Sequence, residues 1–121
     1  MHELSIAMSM IEMATEEASR HGAERVSALH LKLGALSGVV KEALQFSYDI
    51  ACQGTSLEGS RLIIEDVPVV IHCPNCDEDR TVESIQNLQC DLCGELSAEV
   101  RQGRELQVVA LELEEIEEFV S

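Results

Sequence analysis

The chain has 121 residues and a formal net charge of −15, with no Trp, one Tyr and two Phe. That length fits one small domain or two very small ones, with a core drawn from Leu, Ile, Val, Met and Ala. The acidity argues against nucleic acid, which selects a basic footprint, and no apolar run is long enough to span a membrane.

Leu4 to about Arg20 reads as an amphipathic helix, with Leu4, Ala7, Met8, Ile11, Ala14 and Ala18 at helical spacing. His21-Gly22 supplies its stop. Arg25 to Leu33 alternates, Leu29, Leu31 and Leu33 against Ala28, His30 and Lys32, which predicts a half-buried strand. Gly34 and Ser37-Gly38 mark a loop before a second helix from about Lys41 to Cys52. In that helix Ala43, Leu44 and one or more of Phe46, Tyr48 and Ile50 face the core. Leu62, Ile63 and Ile64 centre a second strand limited by Pro68. Glu105 to Glu114 forms a third, with Val109, Leu111 and Leu113 turned one way and Ala110, Glu112 and Glu114 the other. Glu114-Glu115-Ile116-Glu117-Glu118 reads as a solvated acidic end.

Between the last two strands lie Cys73-Pro-Asn-Cys76 and Cys90-Asp-Leu-Cys93, separated by thirteen residues. Two tandem Cys-x-x-Cys knuckles, with a hairpin bringing the second back, place four thiolates around one soft divalent metal. Zinc is the default occupant of such a site, and four protein ligands make it structural. Four cysteines can also hold one iron, which would make the chain an electron carrier. Disulfides need an oxidising compartment, yet Met1-His2-Glu3-Leu4-Ser5 lacks the basic start of a signal peptide, so a cytoplasmic location is expected. A redox dithiol would open a helix beside a βαβ unit, and one motif would suffice for it. Cys52 has no local partner and reads as a small hydrophobe at a helix end.

The fold class that follows is α+β. A three-stranded sheet carries two helices on one face, with an inserted zinc-ribbon-like lobe. Residues 1–68 and 104–121 make the α+β domain, and residues 69–103 the zinc-binding one.

Met1-His2-Glu3 offers a second candidate site. The α-amine of Met1, a backbone nitrogen and the imidazole of His2 can converge on one ion, and Ni(II) and Cu(II) favour such nitrogen-rich sets. These ligands must shed protons to bind, so loading weakens as pH falls. Glu3 has two readings. It is a first-turn carboxylate that stabilises the helix start, or its charge offsets the repulsion between that start and a cation.

Together, Met1-His2-Glu3-Leu4-Ser5 opening a helix and the Cys73, Cys76, Cys90, Cys93 quartet resemble the HypA/HybF family of hydrogenase maturation proteins. Leu29-His30-Leu31-Lys32-Leu33-Gly34 followed by Leu36-Ser37-Gly38 looks like the family's central segment. The resemblance covers essentially the whole chain. It implies a non-enzymatic nickel metallochaperone that assists nickel insertion into the large subunit of [NiFe] hydrogenase. Residues 1–68 and 104–121 then carry the nickel-binding domain. His2 would be the nickel-binding histidine, Met1 would contribute its terminal nitrogen, and Glu3 would belong to the same motif. Zn2+ on Cys73, Cys76, Cys90 and Cys93 would be structural, and Ni2+ the cargo. Implied partners are a HypB-type nickel-loading GTPase and the hydrogenase large-subunit precursor. In some relatives histidines beside the knuckles couple zinc to pH or nickel. Here His72 precedes Cys73 but no His adjoins the second pair, a departure from that pattern. The alternative function is a zinc-ribbon interaction or regulatory module without nickel cargo.

Overall fold

The computed structural model describes residues 2–82 and 85–115. Helix α1 (Glu3–Arg20) is followed by strand β1 (Ala23–Gly34), helix α2 (Lys41–Cys52) and strand β2 (Arg61–Val67). Then come β3 (Val69–Cys73), β4 (Glu78–Val82), β5 (Val100–Gln102) and β6 (Leu106–Glu115). One three-stranded sheet has the order β2-β1-β6, and a second the order β4-β3-β5. No helix among the described residues is long and apolar enough to cross a membrane.

By contacts, the chain divides into two units. The first comprises Met1–Leu31, Val39–Ile64 and Val108–Ser121, the second Lys32–Gly38 and Glu65–Gln107. The second unit thus reaches beyond residues 69–103 on both sides. Gly34 N–H donates to the Glu105 carbonyl at 2.7 Å, and Ala35 N–H to the Val67 carbonyl at 3.2 Å. These bonds gather the ends of three strands into that unit. A side chain at Gly34 would collide with the backbone of Gly103, so this position admits only hydrogen.

In the first unit the core joins Ala7, Met10, Ile11, Ala14 and Ala18 of α1 to Leu44, Tyr48 and Cys52 of α2 and to Leu29 and Leu31 of β1. The 7, 11, 14, 18 stripe is the expected face of α1. Leu4 and Met8 lie on its flank and stay exposed, while Met10, on the other flank, is buried in their place. In α2 the buried residues recur every fourth position, which leaves Phe46 and Ile50 on the opposite, exposed face. Tyr48 is fully buried; its hydroxyl meets the Ser60 hydroxyl at 2.6 Å, and burial pushes its phenol pKa up.

The inward-facing side of β6 changes parity. Val108, Leu111 and Leu113 pack on the core, while Val109, grouped with Leu111 and Leu113 by alternation, is 48% exposed. A strict period of two fails here as it does in β1, where Val26 and Leu29 are both core residues. On the outer face His30 Nε2 lies 2.8 Å from Glu112 Oε2, with Arg61 at 3.6 Å from the same oxygen, so one carboxylate ties all three strands.

The second unit is built on little hydrophobic material. Val69, Ile71 and Val82 form its buried cluster, with Leu36, Leu88 and Val100 partly buried around them. Strand β3 starts immediately after Pro68 and pairs antiparallel with β4, Val69 opposite Val82 and Cys73 opposite Glu78. The three strands of this unit go beyond the single hairpin expected between the knuckles.

Candidate metal centres

The β3–β4 hairpin fixes the first knuckle. Cys73 ends β3 and is fully buried, the turn carries Pro74, Asn75 and Cys76, and Glu78 begins the return strand. Asp77 closes this knuckle with φ of 52°, and Gly94 closes the second with φ of 77°. Each left-handed residue directly follows the second cysteine of its pair. That bend turns both sulfurs of a knuckle inward.

The four Sγ atoms lie within 4.8 Å of one another. Cys73 and Cys93 sulfurs are 3.5 Å apart, and Cys76 and Cys90 sulfurs 3.9 Å. A tetrahedron with metal–sulfur bonds of about 2.3 Å has edges of about 3.8 Å. The sulfurs therefore already hold the spacing of a four-coordinate metal, and the donor set is compatible with a structural zinc.

Backbone amides point at three of these sulfurs. Cys76 N–H points at Cys73 Sγ from 3.4 Å, but burial and the hydrogen bonds to the Cys93 and Cys90 thiols outweigh it and leave the Cys73 pKa raised. The amides of Cys93 and then Leu92 do the same for Cys90 and lower its pKa. The Glu95 amide, helped by the Asn75 side chain, holds the Cys93 thiol down at about 6. Cys76 is pushed up to about 12, chiefly because its hydrogen bond to Cys93 favours the protonated form. Without a cation, four thiolates at this spacing repel one another; a divalent ion removes that conflict.

Braces that the sequence reading did not single out hold the knuckles. Arg80 on β4 donates from Nε to Asp91 Oδ1 at 3.0 Å, inside the second Cys-x-x-Cys, and from Nη1 to Glu78 at 3.3 Å. Ser97 Oγ donates to the His72 carbonyl at 2.6 Å. A charged side chain in a polar stretch carries no periodic signal, so only the folded hairpin reveals what Arg80 does.

His72 alternates to the strand face opposite Ile71 and Cys73. Its Nδ1 lies 3.0 Å from Asp79 and its Nε2 3.4 Å from Asp77. His72, and then Arg101, hold the Asp79 carboxyl below its usual range. A depressed carboxylate stabilises the fold above its unfolded pKa, and that contribution is lost as pH falls through the folded value. Asp79→Asn is therefore expected to lower the unfolding midpoint of the second unit at neutral pH. Below about pH 3.8 the wild-type and variant midpoints converge. Melting curves recorded from pH 7 downward check this; a gap that stays constant contradicts it.

The amino-terminal residues lie in the first unit, and Met1 falls outside the described residues. His2 is exposed and caps α1 from extended backbone, with φ of −102° and ψ of 101°, and its side chain makes no capping bond. Glu3 sits in the first turn, where its carboxylate is favourable. Its Oε2 accepts the Val40 N–H at 3.2 Å, and Val40 is the residue capping α2. The bond lowers the Glu3 carboxyl pKa. Glu3 thus satisfies an amide at the start of a second helix, a role that no local pattern announces.

Residues 1–113 match the sequence profile of the family described as "Hydrogenase/urease nickel incorporation, metallochaperone, hypA". The chain belongs to the HypA family. It is 47% identical over 112 residues to the hydrogenase maturation factor HypA of Chloroflexus aurantiacus, covering 93% of this chain and 98% of that one. It is 45% identical over 115 residues to the HypA of Roseiflexus sp., covering 95% and 94%. The fold is shared with the Ni metallochaperone HypA from Helicobacter pylori (TM-score 0.65, 22% identity, 95% of this chain and 99% of that one). A second HypA solution structure aligns with TM-score 0.68 at 22% identity over 93% and 96%. Family and fold therefore agree with the α+β reading of this HypA-family chain, and hydrogenase maturation is the process the family serves.

Proposed function

We propose that this chain is a non-catalytic nickel metallochaperone in which two metals are held by separate donor sets. Cys73, Cys76, Cys90 and Cys93 hold a structural zinc within residues 69–103. His2 and the terminal nitrogen of Met1 carry nickel on the part formed by residues 1–68 and 104–121. The observation that carries the reading is the family match from residue 1, on a chain whose four cysteine sulfurs converge at tetrahedral spacing.

The chemistry of the two sets differs in the way that holding one ion and delivering another requires. A closed sulfur cage has no open position for a substrate or for exchange, so it suits shape and not catalysis. A few nitrogens at an exposed chain end release an ion more readily. Glu3 serves the nickel motif by fastening the start of α1 to α2 through Val40, so the nitrogens sit on an anchored end. The partners we propose are a HypB-type nickel-loading GTPase, which supplies the ion, and the hydrogenase large-subunit precursor, which receives it. Selectivity for Ni(II) over Cu(II) comes from that supply, because nitrogen ligands alone favour copper.

Equilibrium dialysis of untagged protein beginning at Met1 tests the reading. One saturable equivalent of Ni(II) is expected at neutral pH, weakening as protons compete for the nitrogens; no saturable uptake overturns it. In a Glu3→Ala protein the Val40 amide is expected to exchange faster with solvent while the rest of α2 keeps its protection. Unchanged exchange at Val40 would mean that Glu3 does not fasten the two helices.

A further inference from the structure

Strand β6 is the outer strand of the order β2-β1-β6, so one row of its backbone N–H and C=O groups has no strand beside it among the described residues. Such edges are usually blunted by charged side chains, lysine above all, by proline, by bulges or by a covering segment. The stretch Leu106–Glu115 contains neither lysine nor proline, and its only charges are carboxylates at its far end. Beside it runs a cavity of about 420 Å³ between β6 and one face of α1. Met13, Glu17 and His21 line one wall, successive turns of the helix, and Val109, Leu111 and Leu113 belong to the other.

The two faces of this edge differ sharply. Toward the cavity it presents aliphatic side chains, with Val109 nearly half exposed. The alternate residues Glu112 and Glu114 are acidic and exposed, and Glu114 has no ion-pair partner among the described residues. Glu112 is shared with His30 and Arg61 on the outer face. A strand added here would set apolar residues over the cavity and meet carboxylates on the other side, where cross-strand cations are favourable and anions are not. A second copy of this chain fits poorly, since each copy carries −15 and offers the same acidic strand.

We propose that the groove between α1 and β6 binds an extended partner segment in which apolar and basic residues alternate, paired to β6 as an additional strand. The backbone of β6 supplies the hydrogen bonds, the cavity takes the apolar side chains, and Glu112 and Glu114 face the basic ones. The groove's lining shares no residue with either proposed donor set, so its failure would leave the nickel reading untouched.

The test uses the full zinc-loaded chain and two fluorescent synthetic peptides, one alternating valine with lysine and the other valine with glutamate. The lysine peptide is expected to bind saturably and at least about tenfold tighter than the glutamate peptide. Its amide shift changes are expected to concentrate in β6 and in Met13, Glu17 and His21. Val109→Lys, at an exposed position, weakens binding of the lysine peptide by roughly tenfold. Glu114→Lys narrows or reverses the preference between the two peptides, a result that loss of folding cannot imitate. Equal binding of both peptides overturns the proposal, as do shifts that map elsewhere or indifference to both substitutions. Self-association abolished by Val109→Lys also overturns it, because the occupant is then a second copy.

Discussion

Cys73→Ala is expected to abolish metal uptake at the four-sulfur site and to unfold the second unit, while the helical signal of α1 and α2 persists. The magnitude follows from how little else holds that unit. Its buried cluster is Val69, Ile71 and Val82, and burying such a side chain contributes about 1.5–3 kcal/mol. Ordering each residue costs roughly 1–2 kcal/mol of backbone entropy. A structural zinc contributes about 10–16 kcal/mol of apparent binding free energy, which makes it the largest single stabilising term available there. Cys73 also receives the Cys76 amide and ends the strand around which the second sheet is built. Metal content by mass spectrometry, with hydrogen exchange across β3, β4 and β5, reads both effects. Full metal content with unchanged protection in the variant would show that the sulfurs do not hold the unit together.

The second large effect is expected at the other end of the chain. His2→Ala should weaken nickel binding by roughly 100-fold or more while zinc content and the melting curve stay as in the wild type. Stability is spared because His2 is exposed and its side chain makes no bond at the start of α1. Extending the chain before Met1 is expected to do similar damage, since it converts the terminal amine into an amide. Titration calorimetry of zinc-loaded untagged protein distinguishes these cases. An isotherm for His2→Ala that superimposes on the wild type would remove His2 from the nickel site.

Much of the architecture was legible because it rests on periodic or spaced signals. The 7, 11, 14, 18 stripe of α1, the stop at His21-Gly22 and the double Cys-x-x-Cys each follow from local geometry. The flank residues did not follow so directly. Leu4 and Met8 are as hydrophobic as Met10, and only the placement of α2 and the sheet decides which flank is covered. Strict alternation groups Val109 with Leu111 and Leu113, but Val108 packs on the core and Val109 stays about half exposed where β6 borders the cavity beside α1. Strand β4, Glu78-Asp79-Arg80-Thr81-Val82, hides in the sequence because pairing to β3 positions it and no hydrophobic rhythm does. The Glu3–Val40 bond joins residues 37 positions apart, beyond any motif. The acidic end expected at Glu114 to Glu118 extends outside the described residues from Ile116 onward.

The most direct trial of the two-site account is X-ray absorption at both metal edges of a single sample, untagged and loaded with zinc and then nickel. Four sulfur scatterers are expected around zinc at about 2.3 Å, and a nickel shell containing nitrogen and no sulfur. Sulfur bound to nickel, or a zinc shell short of four sulfurs, would contradict it.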